Sequence, residues 1–198
     1  MRTVRTIASF AVLAAWMLPA TAASMSQRDR ERLVAHLEMT GSWLPGEVSS
    51  LSPEQLSYRS APGRWTVAEV VEHLVIAEPE YWKLFQDGAA HPARELKNKA
   101  SDADVLWYGI DRTRHEKTEA RKDPQGLKVN ISEALARFAK MHATMLSYAA
   151  TTTDDLRSHT VPEWGVDAYQ CLLEISTHEQ RHILQIREIK ADPNFPKH

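Results

Sequence analysis

Cysteine is nearly missing from this chain: Cys171 is the only one among 198 residues. No intrachain disulfide can form, so the fold must stand on its core or on a metal. Cys171 lies in an apolar run and reads as a small buried hydrophobe rather than a nucleophile. Glycine is also scarce, with 7 residues against 10 prolines, which excludes collagen-like and low-complexity chains. No dense basic run occurs and the formal net charge is −2, which speaks against a nucleic-acid partner. No apolar run is long enough for a comfortable membrane span. What is present, 43% hydrophobic and 25% charged residues, is an ordinary globular balance that supports one core and one domain.

The first residues stand apart. "MRTVRTIASFAVLAAWMLPATAAS" places Arg2 and Arg5 ahead of a short apolar run from about Ile7 to Leu18, then Pro19 and Ala20-Thr21-Ala22. A positive start, an apolar middle and a small-x-small exit are the parts of a secretory signal, with cleavage expected after Ala22 or Ala23. The expectation is a leader over residues 1–23 and a mature domain over 24–198, periplasmic or secreted, with no stable membrane span after cleavage. Loss of Arg2 and Arg5 takes the formal net charge from −2 to −4.

Nearly every periodic segment beyond the leader reads as helix. A first helix is expected from about Ser26 to Ser49, on the apolar stripe of Leu33, Leu37, Trp43, Leu44 and Val48. Ser52, Pro53 and Gln55 predict one short helical turn. Thr66 with Glu69 forms a capping box that opens a second long helix to about Gln86, with Val70, His73, Ala77, Tyr81 and Leu84 on one face. Pro79 predicts a kink there. From Asp87 to Val129 the pattern dissolves, apart from a helical piece around Ala103–Lys117. The segment is too long for a tight loop and reads as a site cover or a crossover. Asn130 with Glu133 opens a third helix to about Thr151, and a fourth runs from about Val166 to Lys190. Four long helices without a convincing strand predict an all-α four-helix bundle.

Near the end stands "STHEQRHILQI", which contains His-Glu-x-x-His, the string of zinc proteases. Cys171, Ile175, His178, His182, Gln185 and Ile189 recur at spacings of three and four, so both histidines lie on the stripe that faces the core. Imidazoles four apart can grip one metal ion. His73 lies on an apolar stripe of another helix, roughly 10 Å from its start, while His182 lies roughly 12 Å from the end of its own. If those two helices are antiparallel, the three imidazoles share one layer. Three neutral imidazoles leave a divalent ion its full charge and an open position for water or a thiolate, the pattern of a catalytic site. Zinc, nickel, iron and manganese all suit such ligands. Glu179 points about 100° away from His178 on the helical wheel and reads as a solvated or ion-paired residue. Gln185 shares the histidine face and suits a role in orienting an imidazole. No role is assigned to His36, His91, His115, His142, His159 or His198.

At "APGRWTVAEVVEHLVIAE" (Ala61–Glu78) and "STHEQRHILQI" (Ser176–Ile186) the chain resembles the DinB-like family of damage-inducible helical-bundle proteins, and is similar to the bacillithiol and mycothiol S-transferases. The resemblance spans roughly Gln27 to Ile189. It implies an up-down-down-up bundle, His73, His178 and His182 as metal ligands, and a homodimer, as family members commonly are. The leader and the long Asp87–Val129 insertion depart from the family pattern. Three readings follow. One is a metal-dependent thiol S-transferase or hydrolase of a small-molecule substrate. Another is a noncatalytic metal- or ligand-binding stress protein. The last is a zinc protease, which would need Glu179 as general base beside the metal.

Overall fold

The computed structural model describes residues 25–91, 99–114, 118–124 and 130–197. The expected leader over 1–23 lies outside the described residues. Six helices follow in order: α1 (Gln27–Val48), α2 (Pro53–Ser57), α3 (Val67–Ala90), α4 (Asp102–Ile110), α5 (Ile131–Thr151) and α6 (Ala168–Lys190). Each of the four long helices starts where its cap dictates. Ser26 accepts from Asp29 N, and Thr66 and Glu69 form the full reciprocal capping box. Asn130 caps α5 from its own side only, accepting from Ser132 N and Glu133 N. Pro79 sits inside α3, and the helix continues past it without a break from Val67 to Ala90.

α1, α3, α5 and α6 form a four-helix bundle in which α1 and α3 each pack on both α5 and α6. Their directions follow from contacts along their lengths. Arg30, early in α1, donates to the Ala149 and Thr152 carbonyls at the end of α5, so those helices are antiparallel. Arg187 and Lys190, late in α6, pair with Glu47, late in α1, so those two are parallel. Trp82 and Phe85, late in α3, pack on Tyr148, late in α5. The order is up-down-down-up, which sets α3 antiparallel to α6.

Two apolar clusters fill the bundle. One gathers Leu33, Leu37, Phe85, Met145, Leu172 and Ile175; the other gathers Leu44, Val70, Leu74, Phe138, Ile183 and Ile186. A polar layer of Thr40, Ser176, His142, Glu179 and Glu78, all buried, separates them.

The insertion does more than cross over. α4 runs along the outer side of α6, at a point where Gly109 lets the helices approach. A Cβ there would lie 2.9 Å from Thr177 Cβ and 3.1 Å from its carbonyl oxygen. A 3₁₀ turn at Ala120–Lys122 then touches α3. One feature differs from the all-helical expectation before α6. Thr160–Val161 (β1) pairs antiparallel with Val166–Asp167 (β2). This two-rung hairpin turns through Gly165 at φ 68° and hands the chain to α6 at Asp167, whose side chain caps Gln170 N. Arg157 ties the region together, donating to Asp29, Asp102 and Asp167. No helix among the described residues is long and apolar enough to cross a membrane.

Candidate metal centre

Because α3 and α6 are antiparallel, an early residue of one meets late residues of the other. His73, His178 and His182 converge, each offering one nitrogen within 4.8 Å of the others. His178 Nε2 lies 3.1 Å from His73 Nε2 and 3.1 Å from His182 Nε2. All three side chains are buried.

The outer nitrogens fix the tautomers. His73 Nδ1 is 2.8 Å from the Lys122 carbonyl, which can only accept, so Nδ1 carries the proton and Nε2 faces inward with a bare lone pair. His182 Nδ1 donates to Gln185 Oε1 at 2.9 Å, with the same consequence. Gln185 thus has the orienting place that its position on the histidine face suggested. Among the described residues His178 Nδ1 has no hydrogen-bond partner, and neighbouring rings orient this imidazole. Tyr81 meets it edge-on with centroids 5.1 Å apart. Trp65 lies over His182 at 6.0 Å and against His73 at 5.0 Å.

Burial holds all three imidazoles in the neutral form. Desolvation lowers the His73 pKa despite its bond to the Lys122 carbonyl. It drives His178 and His182 well below the usual histidine range, helped by the mutual repulsion of the rings. A single N–H on His178 could satisfy one facing lone pair, not two. A cation satisfies all three. Metal–nitrogen bonds of about 2.0–2.1 Å in tetrahedral geometry separate neighbouring nitrogens by roughly 3.3 Å, close to the 3.1 Å seen here. The donor set and its spacing therefore fit one divalent ion.

The centre opens into a cleft of about 710 Å³. α3 and α6 supply its floor, Trp65 one side, and Tyr108, Arg112, Glu119 and Lys122 of the insertion another. Of these, Tyr81 had a legible signal, since it stands eight residues after His73 on the same helical stripe. Trp65 precedes the Thr66 cap directly. Arg181 adjoins His182 on α6 and so had a positional signal, whereas Lys122 had none, because only the tertiary path brings it to the cleft.

Glu179 does not face the centre. It is 0% exposed, is absent from the cleft lining, and turns into the polar layer instead. Its Oε1 lies 3.4 Å from His142 Nδ1, while His142 Nε2 donates to the Leu37 carbonyl at 2.7 Å. Of the two states expected for Glu179, solvated is wrong and ion-paired is right, because its side chain turns into the bundle toward α5 and α3, where His142 and Glu78 lie. Burial opposes the charged form of His142, but Glu179 and the Leu37 carbonyl outweigh it and raise its pKa. Burial and the neighbouring Glu179 push the Glu78 pKa far up, which favours its neutral form. The carboxylate that a His-Glu-x-x-His protease needs as general base is thus committed elsewhere. Glu188, on the rim, is bound by Arg112. His36 bonds to Ser176 Oγ at 2.7 Å, inside the bundle. His91 is exposed and His159 half-buried, and His115 and His198 lie outside the described residues.

A family model, that of the DinB superfamily, matches residues 27–186. Among solved structures, YfiT from Bacillus subtilis, described as a probable metal-dependent hydrolase with an unusual four-helix bundle topology, superimposes with a TM-score of 0.59 at 20% identity, covering 87% of this chain and 92% of that one. No curated protein matches the chain.

Proposed function

The chain belongs to the DinB superfamily, and on that premise we propose that it is a metal-dependent enzyme acting on a small molecule, with one divalent ion held by His73, His178 and His182. The observation that carries this reading is the convergence of three Nε2 lone pairs from two antiparallel helices at the bottom of an open cleft. Zinc, nickel, iron and manganese all accept such ligands. A divalent ion so held supplies Lewis acidity and eases the ionisation of a water or thiol near neutral pH.

The chain's own residues do the rest. The Lys122 carbonyl and Gln185 hold two imidazoles with their lone pairs inward. Burial keeps the rings unprotonated and ready to ligate at neutral pH. Trp65 and Tyr81 pack on the rings and shield them from solvent. Burial raises the Tyr81 pKa far above neutrality, so its phenol stays protonated as a hydrogen-bond donor lining the cleft. The two reactions that suit this centre are hydrolysis of a small substrate and transfer to a small thiol. YfiT's description supports the first, and the likeness to the thiol S-transferases supports the second.

The test is a panel of small esters, amides and thiol-reactive electrophiles, assayed with and without a low-molecular-weight thiol. Turnover should vanish on chelation, return with added metal and be lost in His182→Ala. Turnover that survives chelation contradicts the proposal. Export of the mature enzyme to the periplasm or outside the cell by a cleaved leader is part of the proposal, and its N-terminal sequence should then begin at Ala23 or Ser24. A homodimer is part of the same proposal, and sedimentation tests it.

A further inference from the structure

The cleft has cations in its buried lining and carboxylates at its rim. Lys122 and Arg181 line it at 5% exposure each. The carboxylates of Glu119 and Glu188, at 58% and 44% exposure, sit at the mouth. The buried cations differ in how far they are used. Arg181 is spent on the carbonyls of Tyr108, Asp111 and Arg114. Arg112 grips both oxygens of Glu188 at 3.0 Å. Lys122 has three N–H donors. Among the described residues one of them meets a carboxylate, Glu119 Oε1 at 3.0 Å, and the ammonium stands 4.4 Å from the Tyr81 ring centroid.

The position of this ammonium is tied to the histidines twice. Tyr81, beneath it, packs on His178. The carbonyl of the same lysine holds His73. An ammonium withdrawn from water needs strong anionic partners, and a half-exposed Glu119 is a weak one. Three neutral imidazoles add no negative charge to offset a divalent ion.

We propose that the Lys122 ammonium is the recognition group for an anionic substrate, gripping a carboxylate or phosphoryl oxygen of a small molecule whose reacting group lies over the three histidines. This deepens the metal-enzyme reading and rests on it. Glu119 is then the competitor that the substrate oxyanion displaces toward solvent. The insertion, longer than the expected family pattern, supplies the residue that selects the substrate.

The experiment measures metal content first and then titrates inorganic phosphate and acetate, by calorimetry, into the zinc-loaded full chain. It compares wild type with Lys122→Met, Lys122→Arg and Glu119→Gln. Lys122→Met keeps the carbonyl that holds His73, so its metal content should equal wild type. Its oxyanion affinity should fall at least about tenfold, the loss expected for a charge-assisted hydrogen bond. Lys122→Arg should restore most of it, and Glu119→Gln should tighten binding. The probe that binds better identifies the phosphoryl or the carboxylate class. Equal affinity in wild type and Lys122→Met at equal metal content overturns the proposal, as does a wild type that binds neither probe. Metal loss in step with affinity also overturns it, by reducing Lys122 to a brace for His73. If Lys122→Met fails to fold, unchanged affinity in Glu119→Gln overturns it instead. A wild type that takes up no zinc refutes the metal reading itself, a separate result that removes the proposal's basis.

Discussion

Glu179→Gln separates two chemistries at the level of a single residue. In a His-Glu-x-x-His protease it would abolish turnover by removing the base. Here Glu179 is buried against His142 and Glu78, so the substitution should leave metal content at wild type and lower stability by about 1–3 kcal/mol, as removal of one charged hydrogen-bond partner does. Metal analysis and urea unfolding read both effects; loss of metal with stability intact would place Glu179 at the centre after all. The histidines themselves were legible because each sits on an apolar stripe at helical spacing, and a buried imidazole must find a partner. The direction of Glu179 was only half legible. The 100° offset from His178 was correct, but exposure was the wrong default, because that direction leads into the bundle toward His142 and Glu78 rather than out to solvent.

Among the elements, α4 is the piece whose docking shapes the cleft. Gly109→Ala would push a Cβ to within 2.9 Å of Thr177 Cβ and 2.8 Å of Gln180 Oε1, in a contact that has no slack. It should destabilise by about 1–3 kcal/mol and expose the insertion. Faster limited proteolysis between residues 99 and 124 than in wild type is the expected readout, and an unchanged cleavage rate would show that α4 does not depend on this approach. Arg157 anchors the same region from the other end, bridging α1, the start of α4 and the cap of α6. Arg157→Met leaves three carboxylates facing one another and should cost about 2 kcal/mol or more in thermal or urea unfolding. The four long helices could be read from stripes, and Thr66 and Asn130 start α3 and α5 by local chemistry. The β1–β2 hairpin could not, because two-residue strands carry no periodicity. The insertion could be read as a site cover or a crossover, but the residues of the wall it makes could not, because their placement depends on contacts with α6 and α3 far away in sequence.

Over the whole molecule, the buried titratable groups predict a stability dome for the chelated protein. His73, His178 and His182 have folded pKa values below the ordinary 6.5, so the stability they contribute is present above that value and is lost as pH falls through their folded values. His142 and Glu78 are raised, so their contributions are present at lower pH and are lost as pH rises through their folded values. Urea midpoints should therefore peak near neutrality and fall on both sides, and a midpoint that rises steadily into acid would contradict this account of the core. The up-down-down-up order came from the family resemblance; the helix rises alone said only that the three histidines share a layer if their two helices are antiparallel, and the contacts of α3 with α6 have that sense. The most direct test of the centre is the zinc content of the desalted full chain against His73→Ala, with helical content checked by circular dichroism. The account predicts about one ion per chain in wild type and little in a variant of unchanged helicity. Equal zinc in the two would mean that α3 contributes no ligand and that the three imidazoles do not form one site.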